Sequence, residues 1–198
     1  MTPPPPPPPP PPGPARRRAV FLDRDGVLNA ITVKDGTPYP PYRAAEVQVL
    51  PGVAEAVARL ASLGLMRIVV TNQPDIARGT QTAAEMEAIN QTLARQLPLD
   101  EFRVCPHDNA DQCDCRKPRP GMLISAAAAH GIDLPASFMV GDRSSDILAG
   151  AAAGCRTFLI ERSYSNIGGC RPDYVVHDLA EAAGIIAGLM EKASDSSR

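Results

Sequence analysis

The sequence predicts an α/β fold, one parallel sheet with helices packed on both faces. Three observations carry this. Short apolar runs, led by AVFL at 19–22 and MRIVV at 66–70, alternate with stretches of helical periodicity, the element order that gives crossover-connected parallel strands. Polar groups follow three of these runs directly, Asp23 with Asp25, Thr71 with Asn72, and Asp142, which puts chemistry at the strand ends where open α/β sheets hold ligands. The length of 198 residues with 44% hydrophobic content allows one sizeable core and no second full domain.

Taken in order, the chain opens with Pro3 to Pro12, Gly13 and Pro14, then Arg16, Arg17 and Arg18. A proline run supplies no backbone donors and no apolar surface to bury, so residues 1–18 read as an extended, disordered tail. Such a tail can dock weakly on an aromatic-lined groove, with the arginines adding charge attraction. The domain proper is expected over 19–192, and 193–198 should fray.

The first buried strand, Ala19 to Leu22, breaks at Asp23-Arg24-Asp25-Gly26. Residues 30 to 50 hold Asp35-Gly36, Pro38, Pro40-Pro41 and few periodic apolar positions, so they read as an irregular flap. Val53, Ala56, Val57, Leu60 and Leu63 recur at helical spacing and stop at Gly64, a C-terminal signal. The second strand, Met66 to Val70, ends in Thr71-Asn72-Gln73. Thr82 and Glu85 have capping-box spacing ahead of Met86, Ile89, Leu93 and Leu97, the apolar face of a second helix. A third short strand, Phe102 to Val104, runs into CPHDNADQCDCRKPRPGM. Pro120 starts a helix that Gly131 ends, and Phe138 to Val140 forms a strand that delivers Gly141-Asp142-Arg143. Ser144 or Ser145 is placed to cap the next helix, which Gly154 ends. Arg156 to Ile160 supplies a fifth strand, Tyr174 to Val176 a short sixth, and Asp178 with Glu181 opens the last helix.

Residues two apart on a strand face the same way, so Asp23 and Asp25 can bind a hard cation or divide nucleophile and proton-transfer roles. An Asp-rich loop that only caps a turn is the alternative. Five cysteines make an odd count, and Cys105, Cys113 and Cys115 crowd with His107 into eleven residues. That pattern points to metal in a reducing compartment rather than to a disulfide framework. Tetrahedral zinc accepts three thiolates and one imidazole, and a site with four protein ligands is closed, so its expected role is structural. Arg116 and Lys117 stand between this loop and Pro118, where cations meant for a phosphate would be anchored; a solvated basic pair is the alternative.

A formal charge of −2 and a pI near 5.9 give no basic field for nucleic acid or anionic membrane. With no Trp, four Phe and four Tyr, stacking platforms for nucleic-acid strands are scarce too. No apolar run approaches the ~20 residues of a spanning helix, and the N-terminus lacks a signal-peptide core. A soluble cytoplasmic protein with neither partner is expected.

Together these segments resemble the haloacid dehalogenase superfamily of phosphohydrolases from Ala19 to Val176. Phe21-Leu22-Asp23-Arg24-Asp25-Gly26 matches its nucleophile motif, Thr71-Asn72 its second, Lys117 its third, and Gly141-Asp142 with Asp146 its fourth. Within it, the Thr-Asn-Gln segment, the Cys-x-His and Cys-x-Cys loop and Cys-Arg-Lys-Pro resemble the histidinol phosphate and D-glycero-D-manno-heptose 1,7-bisphosphate phosphatase branch. The resemblance implies a three-layer Rossmann-like sheet, a zinc-bound loop and no large cap domain. The intervals between the motifs leave no room for a second folded domain. It also implies magnesium-dependent hydrolysis of a phosphate monoester through an aspartyl-phosphate intermediate. Asp23 would be the nucleophile and Asp25 the acid and base. Asp23, the backbone carbonyl of Asp25, and Asp142 would hold magnesium, with Thr71, Asn72 and Lys117 on the phosphoryl group.

Ile76-Ala77-Arg78-Gly79 and Arg119-Pro120-Gly121-Met122 resemble the heptose bisphosphate enzymes, whereas Pro74-Asp75 departs from their usual Ser-Gly. Arg78, Arg116 and Arg143 would bring three further cations near the site, more than one monoester needs. A second anionic group on the substrate accounts for them, and the cationic amine of histidinol phosphate would be repelled. The expectation is a phosphatase for a small phosphorylated sugar, with heptose 1,7-bisphosphate ahead of histidinol phosphate. A non-catalytic zinc- or phosphate-binding module is the alternative from another class.

Overall fold

The computed structural model of the chain describes residues 17–34, 37–165 and 168–195. The proline run of the expected tail and Asp35-Gly36 lie outside them. Six strands, β1 (Ala19–Leu22), β4 (Met66–Asn72), β5 (Glu101–Cys105), β6 (Phe138–Gly141), β7 (Arg156–Ile160) and β8 (Tyr174–Val176), form one sheet in the order β5-β4-β1-β6-β7-β8. Every pair in it is parallel, with β1 between β4 (Leu22 opposite Val69) and β6 (Leu22 opposite Val140). The chain runs outward from β1 in one direction, then returns to β1's other side through β6. That reversal opens a crevice at the C-terminal ends of β1 and β6.

The apolar runs become central strands because both their faces are covered. Val20 and Leu22 pack with α1 (Val53–Ser62), α2 (Ala83–Gln96) and α5 (Leu179–Asp195) through Val57, Leu60, Leu93 and Ile186. Ala19 and Phe21 point the other way, to Leu123 of α3 (Gly121–His130) and Ala149 of α4 (Ser144–Ala152). Fully buried, each such Leu or Phe contributes ~1.5–3 kcal/mol. Gly64, with φ 73°, stops α1. The capping box of α2 closes as spaced, Thr82 Oγ1 accepting from Glu85 N–H at 3.1 Å and Glu85 Oε2 from Thr82 N–H at 3.0 Å.

Four expectations are corrected. The flap is not irregular throughout, since β2 (Thr32–Lys34) and β3 (Thr37–Tyr39) pair antiparallel, with Thr32 opposite Tyr39 and Lys34 opposite Thr37. Strands of three residues are too short for alternation to register, though Thr, Val and Tyr favour them. Neither Ser144 nor Ser145 caps α4; Arg143 holds the N-cap position, and Asp146 Oδ2 reaches back to its N–H at 3.0 Å. Among the described residues, backbone pairing is already present at Arg17, inside the expected tail, its N–H donating to Gly131 O at 3.1 Å. Helix α5 continues to Asp195, because no Gly or Pro interrupts Glu-Lys-Ala-Ser-Asp. Among the described residues, no helix is long and apolar enough to cross a membrane.

Candidate active site

At the crevice, β1 ends and Asp23 continues its line, its N–H donating to Val140 O of β6 at 2.9 Å. Asp142 is the residue after β6, and Asp146 lies one helical turn further, on α4. The three carboxylates offer ligand atoms within 4.8 Å of one another, all buried. Lys117 Nζ reaches between them, 2.7 Å from Asp23 Oδ1 and 2.6 Å from Asp146 Oδ1, and donates to Val70 O at 2.7 Å. Burial alone would lower the lysine pKa, but Asp146 and Asp23 hold it above its ordinary value. Burial raises Asp23 to about 6, reinforced by the charges of Asp146 and Asp25 against the pull of Lys117. Asp142 rises to about 7, through burial and then repulsion from Asp23 and Asp146.

Two crowded acids that resist ionising mark a place for added positive charge. Asp142 Oδ2 accepts from Tyr164 Oη at 2.7 Å, while its buried Oδ1 has no hydrogen-bond partner. Asp146 spends its oxygens on Lys117 and Arg143 N–H, so it acts as the lysine's counter-ion. Asp23 and Asp142 are therefore the two carboxylates free to suit a hard cation. Gly26, φ 91°, makes the turn beside them; an added Cβ there would overlap Asp142 Oδ2 and the Tyr164 hydroxyl.

Asp25 faces the same cleft but is held differently. Fully buried Arg24 clamps its carboxylate, at 2.9 Å from Nη2 and 3.2 Å from Nε. Asn29 Nδ2 and Gln73 Nε2 donate to it at 3.0 and 2.8 Å. Burial would raise its pKa, yet Arg24's charge and these hydrogen bonds bring it below the usual value. Arg24 in turn donates to Asn90 Oδ1 of α2 at 3.0 Å.

The expected phosphate-binding residues divide. Thr71, buried at the end of β4, lines the cleft with its hydroxyl accepting from Gln73 at 2.8 Å. Asn72 also lines the cleft, and its side chain braces Lys117: Nδ2 donates to Lys117 O at 3.0 Å and Oδ1 accepts Lys117 N–H at 3.1 Å. Arg78 is half-exposed at the rim and paired with Asp108 at 2.7 Å and Asp75 at 3.4 Å, so its charge is already compensated. Arg116 is steered by neutral groups, Asn109 Oδ1 at 2.8 Å and His107 O at 3.1 Å. Arg143 makes no ion pair among the described residues and lines the cleft opposite. Of the three expected rim arginines, two make no close ion pair among the described residues.

The cleft, about 470 Å³, is lined by the buried Asp23, Asp25, Thr71 and Lys117. Thr37 to Tyr39 of the β2–β3 hairpin also line it, with Pro40 and Tyr42. Tyr42 Oη donates to Asp75 Oδ2 at 3.3 Å. No separate cap domain lies over it among the described residues.

Beside the cleft, Cys105 at the end of β5 meets His107, Cys113 and Cys115. Sulfur separations are 3.3 to 3.6 Å, and His107 Nδ1 lies 3.3 Å from Cys115 and 3.7 Å from Cys105. A tetrahedron with Zn–S of about 2.3 Å has edges of about 3.8 Å, so the cage is of the right size. Burial and the neighbouring thiols push Cys115 up to about 12, since three such sulfurs cannot all ionise without a cation. The other two cysteines, Cys155 and Cys170, are buried apart from the cage.

Arg24, Gln73, Asn90 and Tyr164 received no role from sequence. Arg24 and Gln73 stand inside the first two motifs. Asn90 could have been noticed as a polar residue on α2's apolar face, whereas Tyr164 carries no local signal.

The family model described as HAD-hydrolase-like matches residues 114–182. The chain is 35% identical over 187 residues to the D-glycero-beta-D-manno-heptose-1,7-bisphosphate 7-phosphatase of Pasteurella multocida (strain Pm70), covering 87% of this chain and 98% of that one. The enzyme of the same name from Salmonella typhi is 40% identical over 157 residues, covering 73% and 80%. The D,D-heptose 1,7-bisphosphate phosphatase from B. bronchiseptica, crystallised with magnesium and phosphate, has a TM-score of 0.75 at 33% identity, covering 86% of this chain and 98% of that one. With identity of this extent across nearly the whole of a relative, the chain belongs to the haloacid dehalogenase-like phosphatases, in the family of the D-glycero-β-D-manno-heptose-1,7-bisphosphate 7-phosphatases.

Proposed function

We propose that the chain hydrolyses a phosphate monoester of a small phosphorylated sugar, with D-glycero-D-manno-heptose 1,7-bisphosphate its substrate and the 7-phosphate the group removed. The observation that carries the chemistry is Lys117 seated between Asp23 and Asp146, beside the unpartnered Oδ1 of Asp142. The named relatives support the substrate.

An Asp23 carboxylate oxygen attacks phosphorus, the P–O bond to the sugar breaks, and Asp25 gives the leaving oxygen a proton. Water then attacks the aspartyl phosphate, Asp25 takes its proton, and the P–O bond to Asp23 breaks. A magnesium ion held by Asp23, Asp142 and the backbone carbonyl of Asp25 supplies charge that a dianion needs before a carboxylate can approach it. Lys117 and the Thr71 hydroxyl hold phosphoryl oxygens, and Asn72 keeps Lys117 in line. The pairing with Arg24 suits Asp25 to the second step, where it is a base. For the first it must carry a proton, and a phosphate dianion beside it raises its proton affinity.

Arg116 and Arg143 at the rim suit a second anionic group on the substrate. Cys105, His107, Cys113 and Cys115 hold a structural zinc, and thiolates of this kind suit a reducing compartment, the cytoplasm. A panel of phosphorylated metabolites assayed with magnesium tests the reading. The highest kcat/KM is expected on the heptose 1,7-bisphosphate, with phosphate lost from C7. A higher kcat/KM on histidinol phosphate overturns the substrate, and no phosphate release from any member of the panel overturns the activity.

A further inference from the structure

The segment after β7, Glu161 to Ser165, reaches back to the Gly26 turn of the first motif and to Asp142 of the fourth. Arg162 donates to Gly26 O from Nη2 at 2.9 Å and from Nε at 3.2 Å. Ser165 Oγ donates to Asp142 O at 2.7 Å, and Tyr164 Oη to Asp142 Oδ2 at the same distance. Tyr164 and Asp142 both lie outside the cleft lining; the hydroxyl takes Oδ2, beside a glycine where a Cβ would not fit, and leaves the buried Oδ1 without a partner. One loop thus fixes the Asp142 backbone and its carboxylate separately, and ties both to the turn carrying Asp25.

We propose that Tyr164 is a positioning residue for the cation site, holding Oδ2 of Asp142 so that Oδ1 alone is presented to the ion. A carboxylate rotates about a single bond, and one fixed at one oxygen loses little freedom when it binds a metal through the other. Partners of this kind, one shell out from the ligands, typically set metal affinity by 10–100-fold. Magnesium demands near-ideal octahedral geometry and tolerates a wandering ligand poorly, so the effect should be felt strongly here. The hydroxyl bonds to Asp142 rather than to Asp23 and lies outside the cleft lining. Its loss should therefore show in the magnesium requirement and leave kcat at saturating magnesium intact.

The inference rests on the magnesium reading of Asp23 and Asp142, and its test separates the two. Magnesium binding to the full chain without substrate is measured by calorimetry, and in parallel by the rise in melting temperature with magnesium concentration. Tyr164→Phe removes one oxygen and keeps the ring; its metal-free melting temperature checks that the fold is kept. Its magnesium Kd is expected to rise about 10–100-fold, with the melting curve shifted to match. Ser165→Ala loosens the same loop without touching the carboxylate, and its Kd should stay much closer to the wild-type value. An unchanged or tighter Kd in Tyr164→Phe overturns the proposal, as does an equal loss in Ser165→Ala, which would assign the effect to loop packing. A wild-type chain that binds no magnesium overturns the underlying reading as well.

Discussion

Asp142 holds its proton more tightly in the folded chain than in the unfolded one, and this makes its ionisation a load on the fold. With the folded pKa raised to about 7 from 3.8, the contribution is favourable below the unfolded value and is lost as pH rises through the folded one. Metal-free Asp142→Asn should therefore be more stable than wild type above pH ~7, and the gain should shrink toward pH ~4. Thermal melts of both proteins across that range check it; equal melting temperatures throughout would contradict the sign. Magnesium should erase the difference by stabilising wild type alone. At Asp23 the consequence is chemical. Asp23→Asn keeps the shape and the backbone bond to Val140, so turnover should vanish while the chain still folds. Phosphate release at the wild-type rate, in protein checked by mass spectrometry for deamidation, would rule out the nucleophile. Sequence made these residues legible because each follows an apolar run directly. It could not tell that the Asn72 amide bonds the Lys117 backbone, since only the third dimension brings residue 117 alongside.

Helix α2 was legible as an amphipathic element, but its apolar face conceals a polar contact. Asn90 accepts from Arg24, which holds Asp25, so the helix reaches the proton-transfer group through a buried guanidinium. Asn90→Ala leaves that guanidinium short of an acceptor and should cost ~1–3 kcal/mol of stability. Its activity on alkyl phosphates, which need a protonated leaving group, should fall much further than on p-nitrophenyl phosphate. Equal losses on both would limit Asn90 to stability. The Cys/His loop is the opposite case, legible from ligand types and spacing alone. One zinc per chain is expected by elemental analysis. Cys113→Ser should lower both melting temperature and kcat, because Arg116 and Lys117 leave the loop directly. Unchanged kcat despite lost zinc would uncouple the loop from the site. The β2–β3 hairpin escaped notice because three-residue strands leave too little pattern to separate them from a loop.

At the scale of the molecule, strand order followed from alternating elements, while the limits of the fold did not. Among the described residues, backbone pairing is already present at Arg17, which bridges Ile132 in the loop after α3 whatever its side chain; a tail judged by composition cannot register that. Removing residues 1–16 should leave kcat/KM and melting temperature unchanged, and a marked loss of either would assign the prolines a part in the fold or the reaction. The position of β1 between β4 and β6 bears also on how the protein is made. Its second neighbour is translated more than a hundred residues after it, which at 5–20 residues per second is a wait of roughly 6–20 s on the ribosome. Throughout that interval an apolar ribbon meant to be covered on both sides lacks one edge partner, and the nascent chain offers it to any chaperone or neighbouring polypeptide that arrives first.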